Sequence, residues 1–342
     1  MIGSAIRVAA CASCLVALAV ASPHTTYVSS PKVLIVKGPR FEFYAPYAVA
    51  GAGGSIWVLN SDGVLTVVRA SDGTLRRTLS GSKYHLGAYS FGVGVTRQDV
   101  WLVGGPQSNE LIELNGTTGK VLRSVSAPRA LVQNAGALDV VGNDLWAENT
   151  RAVFEIDLST GHVLRQISGP RPVWGLVASS SKVWVLSRGN FLECFSTTHG
   201  RLLATIPLSA SLGNSPHTVS MALVGDHLWV PDVSRVYVIQ ANTMRVSTVL
   251  SSKKYRFNST FFLASNGRTV WSVNLGVTCP ECSLVLPTVS VISATNDSLE
   301  SVLTGRPFQQ QAQSILWYDG RVWLANAIGP DGSGPGSLTA FG

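Results

Sequence analysis

Acidic side chains are scarce in this 342-residue chain, with 19 Asp and Glu against 26 Lys and Arg, and charged residues of both signs reach only 13%. So little charge excludes a disordered polyelectrolyte, which needs charge and low hydrophobicity to stay unfolded. No stretch holds a sustained helical apolar period, which excludes a helical bundle. The apolar run at Val8–Val20 is too short to span a membrane, so no transmembrane segment is expected. Catalytic signatures are missing as well: there is no H-E-x-x-H, no G-x-S-x-G and no phosphate-binding loop. Nor is there a recognised nucleic-acid module, and nucleic acid is not an expected partner.

Residues 1–21 read as a secretory signal. Arg7 is the only charge, the apolar run follows it, and Ala19-Val20-Ala21 fits a small-residue cleavage site. Val8-Ala9-Ala10-Cys11 has the form of a lipoprotein anchor site but leaves too short an apolar core after Arg7, so anchoring is not expected. The expectation is therefore a secreted or extracytoplasmic protein: signal peptide 1–21, linker 22–30 and a single domain over 31–342. Processing would leave three of the five cysteines. Cys279 and Cys282 share a loop, where an oxidising compartment favours a local disulfide and a redox dithiol is the alternative. Cys194 alternates into a strand as a small buried hydrophobe.

What the chain has in abundance is repetition. Trp57, Trp101, Trp146, Trp184, Trp229, Trp271 and Trp323 recur 38 to 52 residues apart, in SIWVL, DVWLV, DLWAE, KVWVL, HLWVP, TVWSV and RVWLA. Around each lie four short β-branched runs ended by Gly, Asn, Asp or Ser, as in AGALDVVGN, DLWAENT, AVFEIDLSTG and HVLRQISGP. A repeat of this length with four strands per unit predicts an all-β chain, a seven-bladed β-propeller with the tryptophans packed between blades. The last unit lacks a fourth strand, and PKVLIVKGP (31–39) resembles GKVLRSVSAP and GHVLRQISGP. An N-terminal strand is thus predicted to complete the last blade and close the ring.

The positive charge concentrates in one kind of loop. Connections from the fourth strand of one blade to the first of the next gather at one mouth of the central channel. Here they carry Arg40, Lys83, Arg129, Arg171, Lys253, Lys254, Arg256 and Arg306, with Glu42 as their sole acid. A ring of cations at a concave mouth attracts anions, and arginine can fork onto carboxylate or phosphate. These eight are the candidate ligand contacts, with Tyr44, Tyr84, Tyr255, Phe257 and Phe308 interleaved. Asp62, Glu110, Glu148, Asp232 and Glu281 share the face and could offset part of the charge. For catalysis the candidates are His85, His217, Glu110 and Glu148, which different blades would have to bring together.

The tandem pattern, with EIDLSTGHVL and ELNGTTGKVL as its clearest segments, resembles YVTN-repeat, NHL-like and virginiamycin B lyase-like propellers. The lyase resemblance implies a metal held by histidines and glutamates at the mouth. Its Trp-Phe-Thr-Glu strand is matched here only by Leu145-Trp146-Ala147-Glu148. Quinoprotein repeats are also distantly similar, but they place Trp where this chain has Leu122 and Leu164. The leading expectation is a monomeric, non-enzymatic, cofactor-free binding protein for an anionic ligand, a cell-envelope polymer or another protein. A metal-dependent lyase or hydrolase and a pure protein-interaction scaffold are the alternatives.

Overall fold

Short β-branched runs punctuated by Gly and Asp build the molecule as strands and hairpins. A computed structural model describes residues 31–342 apart from 85, 87–91, 97, 104–109, 127–135, 150, 169–170, 209–218, 252–253, 277–285, 309–310 and 328–334. The described residues form seven four-stranded antiparallel sheets. Blades 1 to 6 cover 46–79, 93–126, 138–168, 173–207, 222–251 and 260–303, each with strands in sequence order from the axis outward. Blade 7 has Ala312–Tyr318, Arg321–Asn326 and Ser337–Phe341, and its outermost strand is Val33–Val36. Val33, Leu34, Ile35 and Val36 pair with Phe341, Ala340, Thr339 and Leu338, so the predicted closure is present.

All seven repeated tryptophans stand on second strands and are at most 8% exposed. Each buries roughly 150–250 Å², worth about 4–6 kcal/mol against an extended chain. Trp317, on the first strand of blade 7, stacks on Trp271 of blade 6 with centroids 4.9 Å apart. Tyr318 lies over Gly51 of blade 1 and its hydroxyl accepts the Gly54 N–H at 3.0 Å.

Two irregularities repeat. The outer strands of blades 1 to 6 each carry a bulge, with Arg76, Leu122, Leu164, Leu203, Ser247 and Glu300 as the extra residues. A bulge twists an exposed edge away from flat pairing and so guards it against association. Cations also tie each of several blades to the next. Arg77 donates to the Thr117 carbonyl (3.2 Å), Arg123 to Ser159 (2.8 Å), Arg165 to Thr198 (3.1 Å), Lys182 to Ala241 (2.9 Å) and Arg321 to Ser71 (3.0 Å). Arg123 and Arg165 also pair with Glu113 and Glu155 on the neighbouring strand.

Near the axis blades 4, 5 and 6 touch directly. The Val219 N–H donates to the Trp174 carbonyl at 2.7 Å, and Ser220 exchanges backbone bonds with Phe261 and Leu263. A Cβ on Gly175 would stand 2.2 Å from the Val219 carbonyl oxygen, a backbone atom that cannot turn aside. Gly175→Ala is therefore expected to cost at least ~2 kcal/mol, which for a domain this large is a drop of about 4 °C or more in Tm. An unchanged melting curve would contradict this packing.

Candidate functional site

The mouth is built from a recurring turn. Gly38-Pro39-Arg40-Phe41, Gly81-Ser82-Lys83-Tyr84 and Gly305-Arg306-Pro307-Phe308 each form one 3-10 turn entering blades 1, 2 and 7. In each the aromatic N–H donates back to the glycine carbonyl, at 2.9 to 3.1 Å. The opening glycines have φ between +90° and +119°, a region that a side chain would strain. Phe41 and Phe308 plug into the core while Arg40, Lys83 and Arg306 remain exposed. A related turn entering blade 6 exposes Lys254 and Arg256 and buries Tyr255 and Phe257. Arg40 lies over the Phe41 ring at 4.8 Å, Lys83 over Tyr84 at 5.5 Å and Lys254 over Tyr255 at 5.2 Å, which limits the wandering of each cation.

Buried amides hold three of these turns from below. Asn60, Asn274 and Asn326 end the second strands of blades 1, 6 and 7 and are at most 1% exposed. Their amides donate to hydroxyls of the third strands: Asn60 to Thr66 (3.0 Å), Asn274 to Ser290 (2.8 Å) and Asn326 to Thr339 (3.1 Å). Those hydroxyls donate in turn to carbonyls of the mouth turns, Thr66 to Phe41 (2.7 Å), Ser290 to Tyr255 and Thr339 to Pro307 (3.2 Å).

Blades 4 and 5 place carboxyls in this layer, and blade 3 adds Glu148 beside the buried Asn149, which keeps the position of Asn60. Glu193 accepts from Ser187 (3.0 Å) and from Arg171 (3.2 Å), whose guanidinium covers Phe191 at 3.9 Å. Glu148 accepts the Ala137 N–H at 3.0 Å, and burial pushes its carboxyl up to about 8. Asp232 is buried with neither oxygen hydrogen-bonded; burial raises it to about 6 despite the nearby Arg235. At neutral pH Glu148 is thus mostly protonated.

An axial cavity of about 350 Å³ is lined by residues of all seven blades, on the first strands or just before them, with Tyr47, Asp139, Ser220, Gln313 and Ser314 as its polar lining. Bulges at Tyr47, Trp174, Phe261 and Gln313 turn these first-strand residues away from simple alternation. Asp139 accepts the N–H groups of Val140 (2.9 Å) and Ala178 (2.8 Å), tying blade 3 to blade 4, and burial raises its pKa. Sequence reasoning missed this lining, since each blade supplies at most four residues and no motif marks them.

Of the expected contacts, Arg40, Lys83, Lys254, Arg256 and Arg306 are exposed on mouth turns, whereas Arg171 is engaged by Glu193. Arg129, Lys253, His85, His217, Cys279 and Cys282 lie outside the described residues. Glu110 is half-buried at the start of the third strand of blade 2. Among the described residues no three His, Cys, Asp or Glu side chains group as a metal site. Cys194 is fully buried, and burial pushes its thiol up to about 12.

No known protein family matches the chain, and no curated protein does. Solved structures do. The β-propeller domain of Cps50 (Swd1) from Myceliophteria thermophila is similar with a TM-score of 0.67 and 11% identity, over 91% of this chain and 99% of that one. The computationally designed protein Ika8 is similar with a TM-score of 0.60 and 15% identity, over 90% and 98%. At such identities the likeness concerns the fold alone, and with the seven closed sheets it establishes the chain as a seven-bladed β-propeller.

Proposed function

We propose that this chain is an extracytoplasmic binding protein that recognises an anionic ligand or partner at the basic mouth of its propeller. One observation carries the reading: five exposed cations stand on the mouth turns against Glu42 and Asp62 as exposed acids, while the nearby carboxyls of Glu148, Glu193 and Asp232 are buried beneath that face. A low-dielectric rim with an excess of one sign of charge focuses its field outward and gathers counter-charged ligands. The signal-like N-terminus supports export, and with it an envelope or extracellular anion rather than nucleic acid.

The test is a melt and titration of the whole mature protein against heparin, with Arg40, Lys83, Arg256 and Arg306 all changed to Glu. The wild-type protein should gain several degrees in Tm by mass action, an effect that fades with salt. The variant should lose affinity by more than about 100-fold, as expected when four ionic contacts reverse sign. Equal affinities would overturn the reading. A second reading, a protein-interaction scaffold, is favoured by Leu122 and Leu164, each just over half exposed at matching places on the outer strands of blades 2 and 3. It predicts a protein partner that survives the four charge reversals.

A further inference from the structure

The axial cavity of about 350 Å³ lies just inside the mouth end of the channel, since Tyr47 and Gln313 are the second residues of first strands that begin at the mouth. Bulges decide what faces it. At one and the same place in blades 1, 4, 6 and 7 a first-strand residue is left unpaired, which frees its side chain from the alternation of the strand. In blades 4 and 6 that residue is Trp174 or Phe261, buried in the core, and in blades 1 and 7 it is Tyr47 or Gln313, on the cavity wall. All polar side chains of the described lining belong to blades 1, 3, 5 and 7: Tyr47, Asp139, Ser220, Gln313 and Ser314. Blades 2, 4 and 6 contribute Val93, Leu176, Val177 and Phe262. Apart from the neighbouring pair 7 and 1, polar and apolar walls thus alternate around the axis.

We infer that this cavity is a second binding site, independent of the anionic contacts of the mouth, and that it takes a small uncharged ring bearing several hydroxyls, the size of a hexose or a cyclitol. Its volume is at the small end of ligand pockets and too small for a stretch of polymer. Among the described residues no Lys, Arg or His lines it, so an anion would find no counter-charge there. Asp139 is the sole acid of that lining. Its two oxygens already accept the Val140 and Ala178 N–H groups, and the mouth cations oppose the approach of a positively charged ligand. Burial raises the pKa of Asp139 and of Tyr47 alike, which favours their neutral forms. Hydrogen bonding is what remains. Each Asp139 oxygen keeps a lone pair for a ligand hydroxyl, and Ser220, which donates to the Leu263 carbonyl at 2.8 Å, can accept another. Tyr47, Gln313 and Ser314 carry both donors and acceptors. Hydroxyls spread around the edge of a saturated ring meet such groups on several sides, and its C–H faces suit Val93, Leu176 and Phe262 between them.

The test titrates the whole mature protein with glucose, galactose, mannose and myo-inositol, beside galacturonate and glucosamine as ring-matched anion and cation. At least one neutral probe should bind, raise Tm by about 5 °C at about 100 times its Kd, and do so equally at low and high salt. Tyr47→Phe, Gln313→Ala and Ser314→Ala should each weaken it about 3- to 30-fold, as one lost hydrogen bond to a neutral partner does. Where Tyr47→Phe lowers the melting temperature of the free protein, the half-buried Gln313 and Ser314 carry the comparison. The variant with Arg40, Lys83, Arg256 and Arg306 all changed to Glu should keep the full affinity, so this site and the anion reading can fail separately. If galacturonate or glucosamine binds more tightly than every neutral probe and the three cavity variants weaken it, the site is ionic and the neutral assignment is overturned. Binding that none of the three variants alters places the ligand elsewhere, and no binding of any neutral probe leaves a cavity that holds water only. Either result overturns the proposal.

Discussion

Glu148→Gln should raise the melting temperature by about 4–8 °C at pH 8 and leave it unchanged near pH 4. Glu148 ends the second strand of blade 3 two residues after the repeated Trp, where the other described blades carry Leu59, Val103, Leu186, Pro231, Val273 and Ala325. A carboxyl in this apolar position is held in its neutral form, with its pKa raised to about 8. The sign follows from proton binding. Below the ordinary carboxyl range both folded and unfolded states are protonated, and the group contributes in full. As the pH rises towards 8 the unfolded chain sheds the proton while the folded one keeps it, so stability falls. Each pH unit across that window costs ~1.4 kcal/mol, and the total by pH 8 can reach about 4 kcal/mol. Glutamine mimics the neutral acid and still accepts the Ala137 N–H, so it should abolish this slope. For a domain of this size 1 kcal/mol is worth about 2 °C. Asp232, raised to about 6, adds a slope of the same sign at lower pH. Asp157, lowered to about 2 by hydrogen bonds from Ser159, acts only as the pH falls towards that value. Calorimetric melts of both proteins from pH 4 to 8 decide the matter; parallel curves would mean that Glu148 titrates normally.

Removing residues 31–37 should have the larger effect, a loss of at least ~15 °C in Tm or of folding altogether. Four residue pairs hold Val33–Val36 to Ser337–Phe341, and Val36 is buried in the cluster that includes Ile56 and Trp323. Without that strand the chain Leu338–Phe341 becomes an unpaired apolar edge, which invites a neighbour to pair with it. Light scattering should then find dimers or larger species. Val36→Asp tests the same contact in the full chain, since it buries an unpaired charge at a cost of several kcal/mol. Truncated or substituted protein melting within about 2 °C of wild type, as a monomer, would show that closure contributes little.

The fold was legible because one chemical event repeats. A large ring is needed at the same place between blades, so Trp57 and its six counterparts mark the count, and the closing strand announced itself through its likeness to the outer strands of blades 2 and 3. The cations were legible as residues but not as an arrangement. Arg171 and Arg40 look alike in SGPRPV and GPRFEF, yet Arg171 faces Glu193 while Arg40 lies over Phe41, and only the third strand's identity separates them. Tyr47, Asp139 and Gln313 were invisible as a group, because they converge from three distant segments and bulges alter which way two of them point. Leu122 and Leu164 could be placed on outer strands from the pattern, but not identified as the extra residues of bulges, since nothing in V-L-R dictates a skipped pairing.

The five cation ties between blades all run one way around the ring. Blade 1 gives a cation to blade 2, 2 to 3, 3 to 4, 4 to 5, and blade 7 to blade 1, each to a carbonyl in the receiver's last hairpin turn. A blade is therefore a head-to-tail subunit that happens to be covalently joined to its neighbours, and its two faces are different and complementary. Such a seam does not count copies. An in-frame duplication of blade 2 would offer Arg123 to a second Thr117 turn and leave every other seam as before, so nothing in this chemistry forbids an eighth unit. What limits the number is the angle at which successive blades splay and the strand that returns to the last sheet. By that logic the number seven belongs to the geometry of closure, and the chemistry between blades is indifferent to it.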